Sequence, residues 1–216
     1  MRTSNFITCE MMNSLTETIL EKAGISTVWQ GSVKKINIDS IIEFEYDLDI
    51  QWENIDLYSP GNIVLAAIFP KQKIIYMNET KRELFVEKMG TMNFSKAHEL
   101  GHWVLHVTDQ KDYEQLAFSE FETFYCRSYA KKPPQETQAD MFAASILMPK
   151  SILSGAIHML KKHGRVTFNE LYKLKDAFEV SISALTIRIQ ELKLLYFAGK
   201  NIYFSEAEAT GQLSLL

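Results

Sequence analysis

His98-Glu99-Leu100-Gly101-His102 carries the residue types and the spacing that could hold a metal ion and move a proton beside it. On a helix, residues four apart differ by about 40° in azimuth and about 6 Å in height. Both imidazoles then project from one face and can converge on one ion. Glu99 lies about 100° round the helix from His98, too far to be a third ligand but within reach of a water at the ion. A catalytic zinc takes three protein ligands and leaves one position for water. Acids downstream that could complete the set are Asp109, Asp112, Glu114, Glu120, Glu122, Glu136 and Asp140. Glu136 stands out because it opens a second helical pattern, through Leu147, whose Met141, Phe142, Ile146 and Leu147 would pack on the first helix. Asp140, one turn later on the same face, is placed to accept the outer N–H of a ligating imidazole. The bland alternatives are a pair of surface histidines and two acids that favour a helix start for dipole reasons.

The elements that must position these residues can be read from periodicity and stop signals. Met12, Leu15, Ile19 and Ala23 predict a helix over 11–23 that ends at Gly24. Asp39 is the expected cap of a short helix through Glu45, followed by an alternating strand at Tyr46, Leu48, Ile50 and Trp52. The apolar runs Ile63–Phe69 and Lys73–Met77, joined through Pro70, predict a hairpin. A helix over 80–88 stopped by Gly90 and another from Asn93 to about Val107 come next, the latter bearing the two histidines. Residues 108–134 read as a long irregular connection, a length that points to function. Its Tyr113, Tyr125, Arg127 and Tyr129 could include a donor that steadies a tetrahedral oxyanion, with loop packing the plainer role for each. Helices are then expected from Pro134 to Met148 and over 150–162, 168–178 and 182–193, with a last hairpin at 195–204.

Ala97-His98-Glu99-Leu100-Gly101-His102-Trp103-Val104-Leu105-His106, followed by Glu136-Thr137-Gln138-Ala139-Asp140-Met141-Phe142-Ala143-Ala144 and Leu147-Met148-Pro149, resembles the ImmA/IrrE family of zinc-dependent metallo-endopeptidases. The resemblance is sharp over 94–150. It implies Zn2+ held by His98, His102 and Glu136, with Glu99 as the catalytic base. It also implies a protein substrate, typically a helix-turn-helix repressor of a mobile element or a stress response. Gln138 replaces an acid common in the family, and the 33-residue interval between His102 and Glu136 is long for it. His106, about 12 Å along the helix from His98, cannot share one ion with both histidines. A role beside the ligands, facing substrate, or in the core is expected for it.

At 46% hydrophobic and 23% charged, the 216 residues suit a globular chain rather than a disordered or fibrous one. The longest apolar run, Ile63 to Phe69, is far short of the roughly 18 residues a membrane span needs. Glu10 and Glu17 interrupt what a secretory signal would require, so a cytoplasmic address is expected. Two cysteines, Cys9 and Cys126, make neither a disulfide framework nor a cysteine metal site. Residues 1–150 hold 15 Lys/Arg against 21 Asp/Glu and residues 151–216 hold 8 against 6. Neither part has the dense basic footprint of strong nonspecific DNA binding.

The expected architecture is α+β and zincin-like: a 1–150 peptidase domain with a short N-terminal mixed sheet and an HExxH helix, and a helical 151–216 region packed on it. Within the latter, 168–192 resembles a helix-turn-helix and, with the hairpin, a winged helix. Its outward residues would offer only Arg188, Gln190 and Lys193 to DNA, which favours a scaffold or docking role. The alternatives to repressor cleavage are a zinc-containing DNA-binding regulator without proteolysis and a toxin-like protease with another target. The asymmetric acidic stretch 39–56, seven acids and no base, is either a solvated face or a contact for a basic partner.

Overall fold

The computed structural model describes residues 7–58, 63–107 and 133–210. Helix α1 (Cys9–Lys22) starts where the Thr8 hydroxyl accepts the Met11 N–H at 3.2 Å. A short α2 (Ile38–Ser40) runs on into a π-helical turn, Ile41–Glu45. Its cap is Asn37, whose side chain accepts the Ser40 N–H, and not Asp39. Asp39 instead receives both its hydrogen bonds from the ammonium of Lys96 at 2.8 Å, a lysine otherwise sealed in the interior. Leaving that buried charge unpaired would cost more than a missed cap, so the carboxylate goes to the lysine.

Strands β1 (Asp49–Glu53), β2 (Ala66–Phe69) and β3 (Ile74–Asn78) form a mixed sheet with β3 in the centre. β1 runs parallel to β3 with Ile50 opposite Ile75, and β2 antiparallel with Ile68 opposite Ile75. The hairpin turns at Pro70–Lys73, where Lys73 takes a positive φ of 56°. Alternation along β1 leaves Asp49, Gln51 and Glu53 exposed and Ile50 and Trp52 half-buried. β2 is apolar on both faces: Ala66 and Ile68 join the main core, roofed by a helix, and Ala67 and Phe69 pack with Ile55 and Val64 in a smaller cluster.

That helix is α4 (Met89–His106), which follows α3 (Arg82–Glu87) after a single residue. It begins four residues before the expected start, and Gly90 lies in its first turn rather than ending the preceding helix. A Cβ on Gly90 would sit 2.4 Å from the Val180 carbonyl carbon, so the glycine serves close backbone packing. Every residue of α4 from Asn93 to His102 is buried. Helix α5 (Pro134–Leu147) lies against it, and α1 packs across α5.

The chain continues through α6 (Lys150–Lys162), α7 (Phe168–Phe178) and α8 (Ile182–Glu191). The hairpin β4 (Tyr196–Ala198) and β5 (Asn201–Tyr203) follows, then a short α9 (Glu206–Thr210) that the sequence reading missed. Glu179 takes a left-handed conformation at the end of α7, and Ser181 caps α8 through the Ala184 N–H. One apolar core draws on residues from Met12 to Leu195.

Arg188 does not face outward. It is 1% exposed, with hydrogen bonds to the Met148 carbonyl at 3.4 Å and to the Asn13 side chain, so its guanidinium joins α8 to α1 and to the end of α5. Of the three side chains expected to be offered to DNA, it is the one removed. Among the described residues no single helix is long and apolar enough to cross a membrane.

Candidate metal centre

Helical geometry puts His98 and His102 on one face of α4, and the contact with α5 brings Glu136 to them. His98 Nε2 lies 3.0 Å from His102 Nε2, and the two nitrogens are each 3.1 Å from an oxygen of Glu136. His98 and His102 are buried and Glu136 is half-buried. The approach of the two helices depends on Gly101, which stands between the motif residues. A Cβ there would be 3.1 Å from the Phe142 Cβ and 3.2 Å from the Ala139 Cα. The sequence reading passed over this glycine, although a glycine inside a helical pattern is itself the signal of a close approach.

Asp140 accepts the Nδ1–H of His98 at 2.9 Å. His98 therefore has a carboxylate oxygen at each ring nitrogen. Burial opposes its charge, but the bonds to Asp140 and Glu136 prevail and its pKa is raised to about 10. Glu136 is pushed the other way: burial works against its charge, and the two histidines more than compensate, holding the carboxyl well below the usual range. His102 Nδ1 is buried without a hydrogen-bond partner among the described residues; the ring is held by its Nε2 contacts and by packing against His98 at 4.7 Å and His106 at 5.5 Å between centroids.

Glu99 is buried, and its Oε2 accepts the Ile68 N–H of β2 at 2.9 Å. Ile68 contributes through its backbone, which no residue-type pattern could reveal. His106 joins the site's edge, its Nε2–H donating to the Gln135 carbonyl at 3.2 Å. Tyr113, Tyr125, Arg127 and Tyr129 lie outside the described residues, as do Asp109, Asp112, Glu114, Glu120 and Glu122.

The donor set fits a metal ion. Two imidazole nitrogens cannot hold their lone pairs face to face at 3.0 Å unless a proton or a cation stands between them. The ligand atoms offered by His98, His102 and Glu136 all lie within 4.8 Å of one another. Two nitrogens and a carboxylate on rigid paired helices are a donor set for a divalent transition metal.

The helix pair, the small mixed sheet and this cluster describe an α+β protein with a candidate metal centre. The model of the IrrE N-terminal-like domain, a peptidase family, matches residues 64–190, and the chain belongs to that family. This bears out the ImmA/IrrE resemblance, and membership in a metallopeptidase family implies a metal ion. No curated protein matches the chain.

Proposed function

We propose that the protein is a zinc-dependent endopeptidase of the cytoplasm in which His98, His102 and Glu136 hold the ion. The observation that carries this reading is the convergence of both Nε2 atoms and the Glu136 carboxylate at 3.0 to 3.1 Å, with Glu99 one residue from the first ligand. When bound, the zinc would supply positive charge that polarises a scissile carbonyl and acidifies water. Glu99 takes the proton from the attacking water and returns it to the leaving amine nitrogen. The Ile68 N–H fixes one oxygen of that carboxylate, so its swing about the side chain is limited before substrate arrives. Asp140 keeps the His98 proton on Nδ1, which leaves Nε2 as the nitrogen that faces Glu136 and His102.

The substrate we propose is a helix-turn-helix transcriptional repressor cut at one or few bonds, a reading supported by the family resemblance. The 151–216 region, which carries a net positive charge, would assist docking. Zinc-loaded protein incubated with a helix-turn-helix protein from the neighbouring reading frame, with fragments mapped by mass spectrometry, tests it. The expected result is a discrete pair of fragments while casein is cut poorly. Rapid digestion of unfolded proteins with the repressor left intact would overturn the substrate. Elemental analysis tests the metal: about one zinc per chain is expected, lost in His98→Ala, His102→Ala and Glu136→Ala.

A further inference from the structure

Glu136 sits in the least secured turn of its helix. α5 begins at Pro134 with no side-chain cap, and the first turn of any helix leaves its N–H groups without intrahelical partners. The Gly101 contact holds α5 further along, at Ala139 and Phe142. By itself it lets the preceding turn pivot, and a carboxylate there would swing with it. The bond from His106 Nε2–H to the Gln135 carbonyl crosses from the last turn of α4 to the first turn of α5, 29 residues away in sequence, and grips the peptide adjoining Glu136. The same imidazole rests on the His102 ring at 5.5 Å. One side chain thus touches the backbone next to one proposed ligand and the ring of another.

We propose that His106 is a positioning residue for the metal centre: by holding the Gln135 carbonyl it fixes the Glu136 carboxylate against His98 and His102, without itself binding the ion. This rests on the ligand set proposed above. The two helix contacts bracket Glu136, with Gln135 held on one side and Ala139 on the other, so both the rotation and the translation of α5 are set where the carboxylate leaves it. His106 pays no part of this through charge; it needs only an N–H at the position of Nε2.

Zinc affinity of the full chain, measured by competition with a chromophoric chelator, tests this against two substitutions. His106→Phe keeps a ring beside His102 and removes the donor. His106→Gln keeps a donor, since its amide nitrogen reaches about as far as Nε2. Affinity should fall by about 10-fold or more in the first, the scale of lost outer contacts, and stay near wild type in the second. Unfolding midpoints in urea for the zinc-stripped proteins show whether a fall in affinity is merely a loss of fold. If His106→Phe fails to fold, His106→Asn, whose shorter amide cannot span the contact, takes its place with the same expectation. Unchanged affinity in the donor-less variant would overturn the proposal, and so would an equal loss in His106→Gln. Failure of wild type to bind zinc at all would instead remove the ligand set, a result separate from either of these.

Discussion

At the scale of single residues, the centre is a set of opposed demands on protons. Glu99→Gln keeps the shape of the side chain and the Ile68 contact on its remaining oxygen, but the amide cannot take a proton. Zinc content should persist while cleavage falls roughly 100- to 10,000-fold, and a wild-type rate would exclude Glu99 as the base. Asp140→Asn should weaken zinc retention by about 10- to 100-fold while leaving the unfolding midpoint of zinc-stripped protein near that of wild type; equal affinity in chelator competition would exclude Asp140 from orienting a ligand. The cluster also predicts a pH dependence. His98 is raised from 6.5 to about 10, so the stability it gives is complete below about 6.5 and is lost as pH climbs toward 10. Glu136 is lowered from 4.5, so its contribution is complete above that value and is lost in acid. Chelator-treated protein should therefore be most stable between about 4.5 and 6.5 as far as this cluster decides. Zinc affinity should rise with pH well past neutrality, since the ion must displace the proton that Glu136 and Asp140 favour on His98. A flat affinity between pH 6 and 9 would contradict the assignment.

At the scale of elements, the helix pair is the device, and Gly101 sets its spacing. Alanine there removes a helix-weakening glycine but meets Phe142 and Ala139 at 3.1 to 3.2 Å, so the two effects oppose each other. Valine adds two methyl groups to a contact with no room for them. Gly101→Val should cost about 1 to 3 kcal/mol by overpacking and, by displacing α5, should also release zinc. Retention of zinc at wild-type affinity, measured alongside the urea midpoint, would show that the spacing is not what assembles the site. Helices were legible in the sequence because their apolar faces repeat and their start and stop signals are local: Pro134 and Gly24 act within one turn of themselves. What escaped depends on partners far away in the chain. Asp39 reads as a cap until Lys96 claims it, Gly90 reads as a stop until Val180 lies on it, and Arg188 reads as a surface base until Asn13 and Met148 close over it. The His98 and His102 pair was legible for the opposite reason, since its four-residue spacing acts within one helix, and Glu136 stood out as the acid that opens the next helical pattern. The backbone N–H of Ile68 has no residue type to betray it.

At the scale of the whole molecule, the acidic stretch 39–56 is less free than its composition suggests. Asp39 is bound to Lys96, Asp47 to Lys73, and Asp56 to Asn78, Thr80 and Lys81. These contacts tie the stretch, which includes β1, to α4, to the hairpin and to the end of β3. At the other side, Arg188 joins the C-terminal helices to α1 and α5, and α5 bears Glu136 and Asp140. A guanidinium this deeply buried has its pKa lowered by burial, with Glu191 and Cys9 acting the other way. Removing it leaves the Asn13 side chain and the Met148 carbonyl short of a donor in a dry interior. Arg188→Ala should therefore destabilise the protein by roughly 3 kcal/mol, through the cavity as well as the lost bonds. Because one apolar core draws on residues from Met12 to Leu195, the loss should lower a single unfolding transition rather than detach the C-terminal helices alone. Urea unfolding followed both by tryptophan fluorescence and by far-ultraviolet circular dichroism would decide it. Trp52 and Trp103 lie in β1 and α4 and Trp29 packs on Gly155 of α6, whereas helix content comes from the whole chain, so coincident curves shifted together are expected. Two separated transitions in Arg188→Ala, with the fluorescence curve left at its wild-type midpoint, would show that the helices after residue 150 are a dispensable appendage to the metal centre.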